Sequence, residues 1–286
     1  MADHGLESEF CVAGVDVAER RGLDLVVMSG DRRILARAAR LTVRDLVVLV
    51  AEHNPVAVCI DSPSGWALAG QSRRAERDLR ALGISAYACP TDPGDHPFYG
   101  WMRVGFEIFE ALASRYPLYR GGPLAGTAAE VYPAATATML GGRARATHES
   151  KRSFRRDVLD ANGVDLPPTT IDQVDAALAA LTGVVALEGA STSVGDPEEG
   201  VVLLPSRNPS ALPVPPLSEQ PHRRDHKVAV PVTVTQKCLC GCGALVRRRF
   251  LPGHDAKLKS RLRRAAALGD ESAAHELNRL GWGETG

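Results

Sequence analysis

The chain has 286 residues, equal numbers of Lys+Arg and Asp+Glu (34 each), and 44% hydrophobic residues. That is enough apolar mass for one large domain plus an appendage. No run approaches the roughly eighteen consecutive apolar residues of a membrane span, and MADHGLESEF lacks the basic-then-apolar pattern of a secretory signal, so a cytoplasmic location is expected, with no membrane partner. The first predicted elements are three β-like runs, FCVAGVDVA, LDLVVMSG and RRILARAAR, joined by short turns in the manner of an antiparallel meander. Thr42 then caps a helix in LTVRDLVVLVAEHNP, which stops before Pro55. VAVCID follows, a short apolar run suited to a strand covered on both faces. Helical segments are expected in SRRAERDLRALG and YGWMRVGFEIFEALASRY, a short strand broken at Pro133 in TAAEVYPAATATML, a helix from near Ile171, and a last strand in EEGVVLLP.

Composition divides the chain into a domain over 1–206, a Pro-rich linker over 207–235 and a small module over 236–286. The zero net charge hides an asymmetry, because beyond Gln236 ten Lys/Arg face five Asp/Glu. The tail is therefore the expected polyanion contact, through a helix carrying Lys257, Lys259, Arg261, Arg263 and Arg264.

Four acids stand out. Asp16 and Asp61 close apolar runs, and Asp172 and Asp175 stand three apart at the front of DQVDAALAAL, on one side of a helix. A carboxylate within a buried strand is costly unless a cation neutralises it or its pKa rises, so a convergent set implies a divalent metal, Mg2+ or Mn2+. Hydrolysis of a phosphodiester between two metals about 3.5 to 4 Å apart needs such a set to hold the ions. Asp16, Asp61 and Asp175 are the expected metal ligands. Asp172 also has a bland reading as an acid facing the helix dipole. Glu130, in EVYP, is a further ligand or the partner of an arginine such as Arg74. Lys151, Arg155 and Arg156 could stabilise charge on phosphate or simply form a solvated helix face.

In the tail, Cys238, Cys240 and Cys242 alternate in CLCGC and His254 follows, a donor set suited to structural Zn2+ although its spacing is tighter than usual. So little apolar mass there would need a metal to fold.

GVDVA, AVCIDSPSG, the RRAERDLR helix, EVYPAAT, the Lys151 to Arg155 segment, DQVDAALAAL and EGVVLLP, taken together over about residues 10–206, resemble domain-of-unknown-function family 429. That resemblance implies an α/β, RNase H-like mixed sheet, three antiparallel strands plus parallel ones flanked by helices, and a nuclease activity that for the family is itself a prediction. The aspartate pair resembles the last acidic motif of RuvC-type Holliday-junction resolvases. Carried over, Asp16 matches the first-strand acid, Asp61 the fourth-strand acid and Asp172 and Asp175 the helical pair. The fourth-strand acid is Asp here where the resolvases have Glu, which shortens its reach. The tail is similar to a small Cys-rich GHD module of bacterial and phage-related proteins. Three functions are compatible with these residues: a metal-dependent nuclease, a non-catalytic nucleic-acid-binding or scaffold protein of the same fold, and a hydrolase of a small phosphorylated metabolite.

Overall fold

The computed structural model describes residues 10–167, 169–206, 236–240, 245–246, 254–280 and 282. The chain falls into two compact units, Met1–Pro213 and Val214–Gly286. In the first, β1 (Cys11–Asp16), β2 (Leu23–Ser29) and β3 (Ile34–Leu41) form an antiparallel meander, in which Asp16 lies opposite Asp24. α1 (Val43–His53) begins at a reciprocal cap: the Thr42 hydroxyl accepts from the Asp45 amide at 3.2 Å, and the Asp45 carboxylate accepts from the Thr42 amide at 3.1 Å. It ends at Asn54, whose φ of 47° is left-handed, immediately before Pro55.

β4 (Ala57–Asp61) returns parallel to β1, on the side away from β2. After α2 (Arg74–Ala81) and α3 (Gly100–Leu112), β5 (Ala128–Val131) extends the parallel part. α4 (Pro133–Gly141), α5 (Lys151–Ala161) and α6 (Ile171–Leu187) follow, and β6 (Ser191–Asp196) and β7 (Gly200–Pro205) close the sheet as a hairpin. The order across the sheet is β3-β2-β1-β4-β5-β7-β6. Three antiparallel strands followed by parallel ones is the mixed sheet that the RNase H-like resemblance implied. The sequence did not announce β6. STSVGD is polar and only partly buried at the sheet edge, so it lacks the apolar alternation that marks a strand.

Alternation along the strands sorts side chains onto two faces. Ala13, Val15, Val58 and Ile60 meet α1 and α3 through Leu46, Val50, Ile108 and Phe109. Val12, Ala57 and Cys59 meet α5 and α6. α6 is buried all round from Gln173 to Val185, which explains its alanine content, because small side chains let it lie directly on the sheet. The closest approach is at Gly14, where a methyl group would overlap the Ala176 carbonyl oxygen and the Ala180 backbone nitrogen. Gly14→Ala is therefore expected to push α6 off β1 and to cost about 1–3 kcal/mol or more, read as a lower urea midpoint with an unchanged slope.

In the second unit, Gln236–Lys237 (β8) pairs antiparallel with Leu245–Val246 (β9), and α7 (His254–Ala267) precedes α8 (Glu271–Arg279). Gly269, at a φ of 90°, turns the chain, and the Asp270 side chain caps α8 by accepting from the Ala273 amide at 3.0 Å. Leu258, Ala273, Leu277 and Leu280 are buried, and the Lys259 ammonium lies 5.8 Å from the centroid of the Trp282 ring. No helix among the described residues is long and apolar enough to cross a membrane.

Candidate metal centre

The site is assembled by strand register and helix phase. β1 and β4 run side by side with Asp16 opposite Asp61, so their side chains leave the same face of the sheet, the face α6 covers. α6 starts where the Thr170 hydroxyl accepts from the Gln173 amide at 3.2 Å. Ala176 rests on Gly14, and the preceding residue, Asp175, thus reaches the strand end at Asp16. Carboxylate oxygens of Asp16, Asp61 and Asp175 all lie within 4.8 Å of one another. Asp16 and Asp175 are buried at 8% and 4% exposure, and Asp61 is partly open.

Crowding three acids in one place has a clear electrostatic result. Burial, then Asp61, Asp175, Asp172 and Asp24, push Asp16 up to about 9. Burial and Asp175 push Asp61 up to about 8, against the pull of Arg155 and Lys151. Asp175 is held from α5: Arg155 Nη1 bonds its Oδ1, and Lys151 Nζ lies 3.3 Å from its Oδ2. The Arg155 side chain is 8% exposed, whereas that of Lys151 is 54% exposed. Magnesium binds oxygen at about 2.0–2.1 Å, which places its ligands roughly 3–4 Å apart. The three carboxyl groups are hard oxygen donors at nearly that spacing and have one open side through Asp61. These residues fit a divalent cation.

The model of the family described as "Protein of unknown function (DUF429)" matches residues 14–200. The chain belongs to the DUF429 family. Two of the solved structures similar to this DUF429 member are the Thermus thermophilus RuvC in complex with a Holliday junction substrate and a further structure of the same organism's RuvC. The first is 15% identical with a TM-score of 0.39, covering 66% of this chain and 99% of that one. The second is 15% identical with a TM-score of 0.37, covering 65% and 99%. No curated protein matches in sequence. The family match stops short of the Cys-rich tail.

Other acids of this DUF429 member lie elsewhere. Asp172 is outside the group of three and pairs with Arg21 at 2.9 Å. Glu130 is buried in an ion pair with Arg73, not Arg74, and also accepts the Ser64 amide at 3.0 Å. Arg74 instead pairs with Asp78 at 2.6 Å. Arg156 donates to the Leu166 and Pro167 carbonyls at 2.7 and 3.1 Å, which ties down the loop before α6. Two participants escaped the sequence reading. Asp24 is buried beside Asp16 and accepts from Gln173 Nε2 at 2.8 Å. Arg73 is wholly buried between Glu76 and Glu130. Asp24 had a visible signal, an acid inside the apolar run LDLVV, whereas nothing in the sequence separates Arg73 from its neighbour Arg74.

The expected zinc ligands are only partly described. Cys238 Sγ and Cys240 Sγ lie 3.4 Å apart, while Cys242 and the His254 side chain fall outside the described residues. Among the described residues the three aspartates form the one group of three or more candidate ligands. On α7, Arg261, Arg263 and Arg264 are exposed, as a nucleic-acid contact requires, and Arg261 Nη2 donates to the Cys240 carbonyl at 3.4 Å.

Proposed function

We propose that the chain is a divalent-metal-dependent phosphodiesterase acting on nucleic acid. The observation that carries this reading is the convergence of Asp16, Asp61 and Asp175, from three distant segments, within 4.8 Å at the ends of two adjacent parallel strands. A structural role does not account for it, because like charges this close oppose folding. The three aspartates would hold magnesium or manganese, which when bound polarises a phosphoryl oxygen and acidifies water.

The protein's own groups have distinct parts. Asp16 and Asp175, buried and fixed by β1 and α6, set the position of the donor oxygens. Arg155 is buried and keeps Asp175 oriented. Lys151 is largely exposed, so with a cation held by Asp175 its ammonium would be free to meet a substrate phosphate. Three carboxylates suffice for one cation; a second would need Asp172 to leave Arg21, whose side chain is 66% exposed. The exposed arginines of α7 supply the attraction to a polyanion.

Engagement of Asp175 by Arg155 and Lys151 is also what a non-catalytic relative would show, and one experiment separates the two readings. Purified full-length protein is incubated with labelled single-stranded, duplex and branched DNA and RNA, in magnesium, manganese or EDTA. Cleavage that EDTA abolishes is expected, rising between pH 6 and pH 9 as protons leave Asp16 and Asp61 to make way for the cation. Binding without cleavage under every condition would leave the scaffold reading standing.

A further inference from the structure

Beside the carboxylate group a second feature opens past the same strand end, toward the face that α2 and α3 cover. A cleft runs from Asp61 past Tyr132 to Tyr87 and Trp101, with Met102 and Val202 also in its walls. Tyr132 links the two regions. Its hydroxyl donates to the Ser85 carbonyl at 2.8 Å, and it feels the charges of Asp61 and Asp175 on one side and Tyr87 on the other. Tyr87, in the cleft wall, is 63% exposed, and Phe98, which touches it from outside the lining, is 40% exposed. Edge contacts hold the Tyr87 ring, with centroids 5.1 Å from Phe98 at 71° and 6.4 Å from Trp101 at 65°. An isolated exposed apolar side chain needs no explanation, but a pair of exposed aromatic rings braced beside a cleft does.

We propose that this cleft takes an unpaired base of the nucleic acid, stacked on Tyr87, next to the phosphate that a cation at Asp16, Asp61 and Asp175 would hold. Continuity and chemistry identify that occupant. Asp61 belongs to both places, so whatever fills the cleft is attached to, or adjoins, the group at the carboxylates. In a nucleic acid the neighbour of a phosphate is a nucleoside, and a flat ring matches a base face. The buried ion pairs at the back, Arg73 with Glu76 and Glu130, are satisfied internally, which leaves the Tyr132 hydroxyl oxygen to accept from a base edge. A base inside a duplex is already stacked and cannot enter, so the site selects single-stranded or splayed nucleotides.

The inference rests on the phosphodiesterase reading, and the test keeps the two apart. Affinity for a labelled 15-nucleotide single strand and for the matching duplex is measured by fluorescence anisotropy in the full-length Asp16→Asn chain, which preserves the substrate. Adding Tyr87→Ala is expected to weaken single-strand binding about tenfold or more while duplex binding stays within about twofold; Tyr87→Phe retains the affinity. Because Tyr87 is mostly exposed, its replacement leaves the fold in place, which a matching thermal midpoint verifies. Unchanged single-strand affinity in Tyr87→Ala, with the parent protein still cleaving, overturns the stacking site alone. A parent that neither binds nor cleaves any nucleic acid overturns the phosphodiesterase reading and this inference together.

Discussion

Asp16→Asn is expected to abolish metal-dependent cleavage and, at the same time, to stabilise the metal-free protein. The first effect follows from the geometry. Asp16 is one of three donors, it is fixed in β1, and no other described acid reaches its place, because Asp24 is occupied by Gln173 and Asp172 by Arg21. Losing a single well-placed electrostatic group costs about 10²–10³ in rate, and a cation ligand at least that. The second effect follows from linkage. In the unfolded chain the Asp16 carboxyl ionises near pH 4, whereas burial and the neighbouring acids hold it protonated in the folded chain up to about 9. Between those values the folded state binds the extra proton, so stability falls as pH rises through that window. Asparagine carries no charge and removes the penalty. A gain on the order of 5 °C in thermal midpoint is expected at pH 8, shrinking to nothing near pH 4. Magnesium should raise the midpoint of the parent and not of the variant. Equal cleavage in parent and variant, or a variant less stable than the parent at pH 8 without metal, would count against the metal centre.

The contrast between Asp175 and Asp172 shows how far the sequence carries. Spacing of three placed both on one side of the helix, and that holds, but it does not say which turn of α6 crosses which strand. That is decided by Gly14, where only a missing side chain lets Ala176 and Ala180 touch the backbone of β1. Asp16 and Asp61 were legible because an acid at the end of an apolar strand has few stable alternatives, and parallel register then sets them opposite each other. Glu130 was ambiguous for a physical reason: a buried carboxylate needs a positive partner, and a cation or an arginine serves equally. The aromatic cleft left no trace, because Tyr87 lies in a stretch between α2 and α3 that has no helical or strand period and is arranged only by tertiary packing.

Arg73→Met is expected to be the most destabilising side-chain truncation in the first unit. The Arg73 side chain is 1% exposed and bridges two buried acids: Nη2 lies 2.6 Å from Glu76 Oε1, Nη1 lies 2.9 Å from Glu130 Oε2, and Nε donates to Glu76 Oε1 at 2.9 Å. Met fills much of the same volume but leaves two carboxylates buried without a counter-charge, a loss of about 3–5 kcal/mol. Glu130→Gln is milder, about 1–3 kcal/mol, since Arg73 keeps Glu76, but one amide oxygen cannot serve both Ser64 and the two Arg73 nitrogens as the carboxylate does, so the Ser64 bond is weakened. Both changes act on function through one loop. Ser64 lies three residues beyond Asp61, and its amide is anchored by Glu130, so releasing that anchor lets Asp61 drift from Asp16 and Asp175. Urea unfolding should rank the parent above Glu130→Gln and Glu130→Gln above Arg73→Met. Magnesium affinity of folded Glu130→Gln should fall although Glu130 touches no ligand position, and an affinity equal to the parent's would show that the loop needs no such anchor.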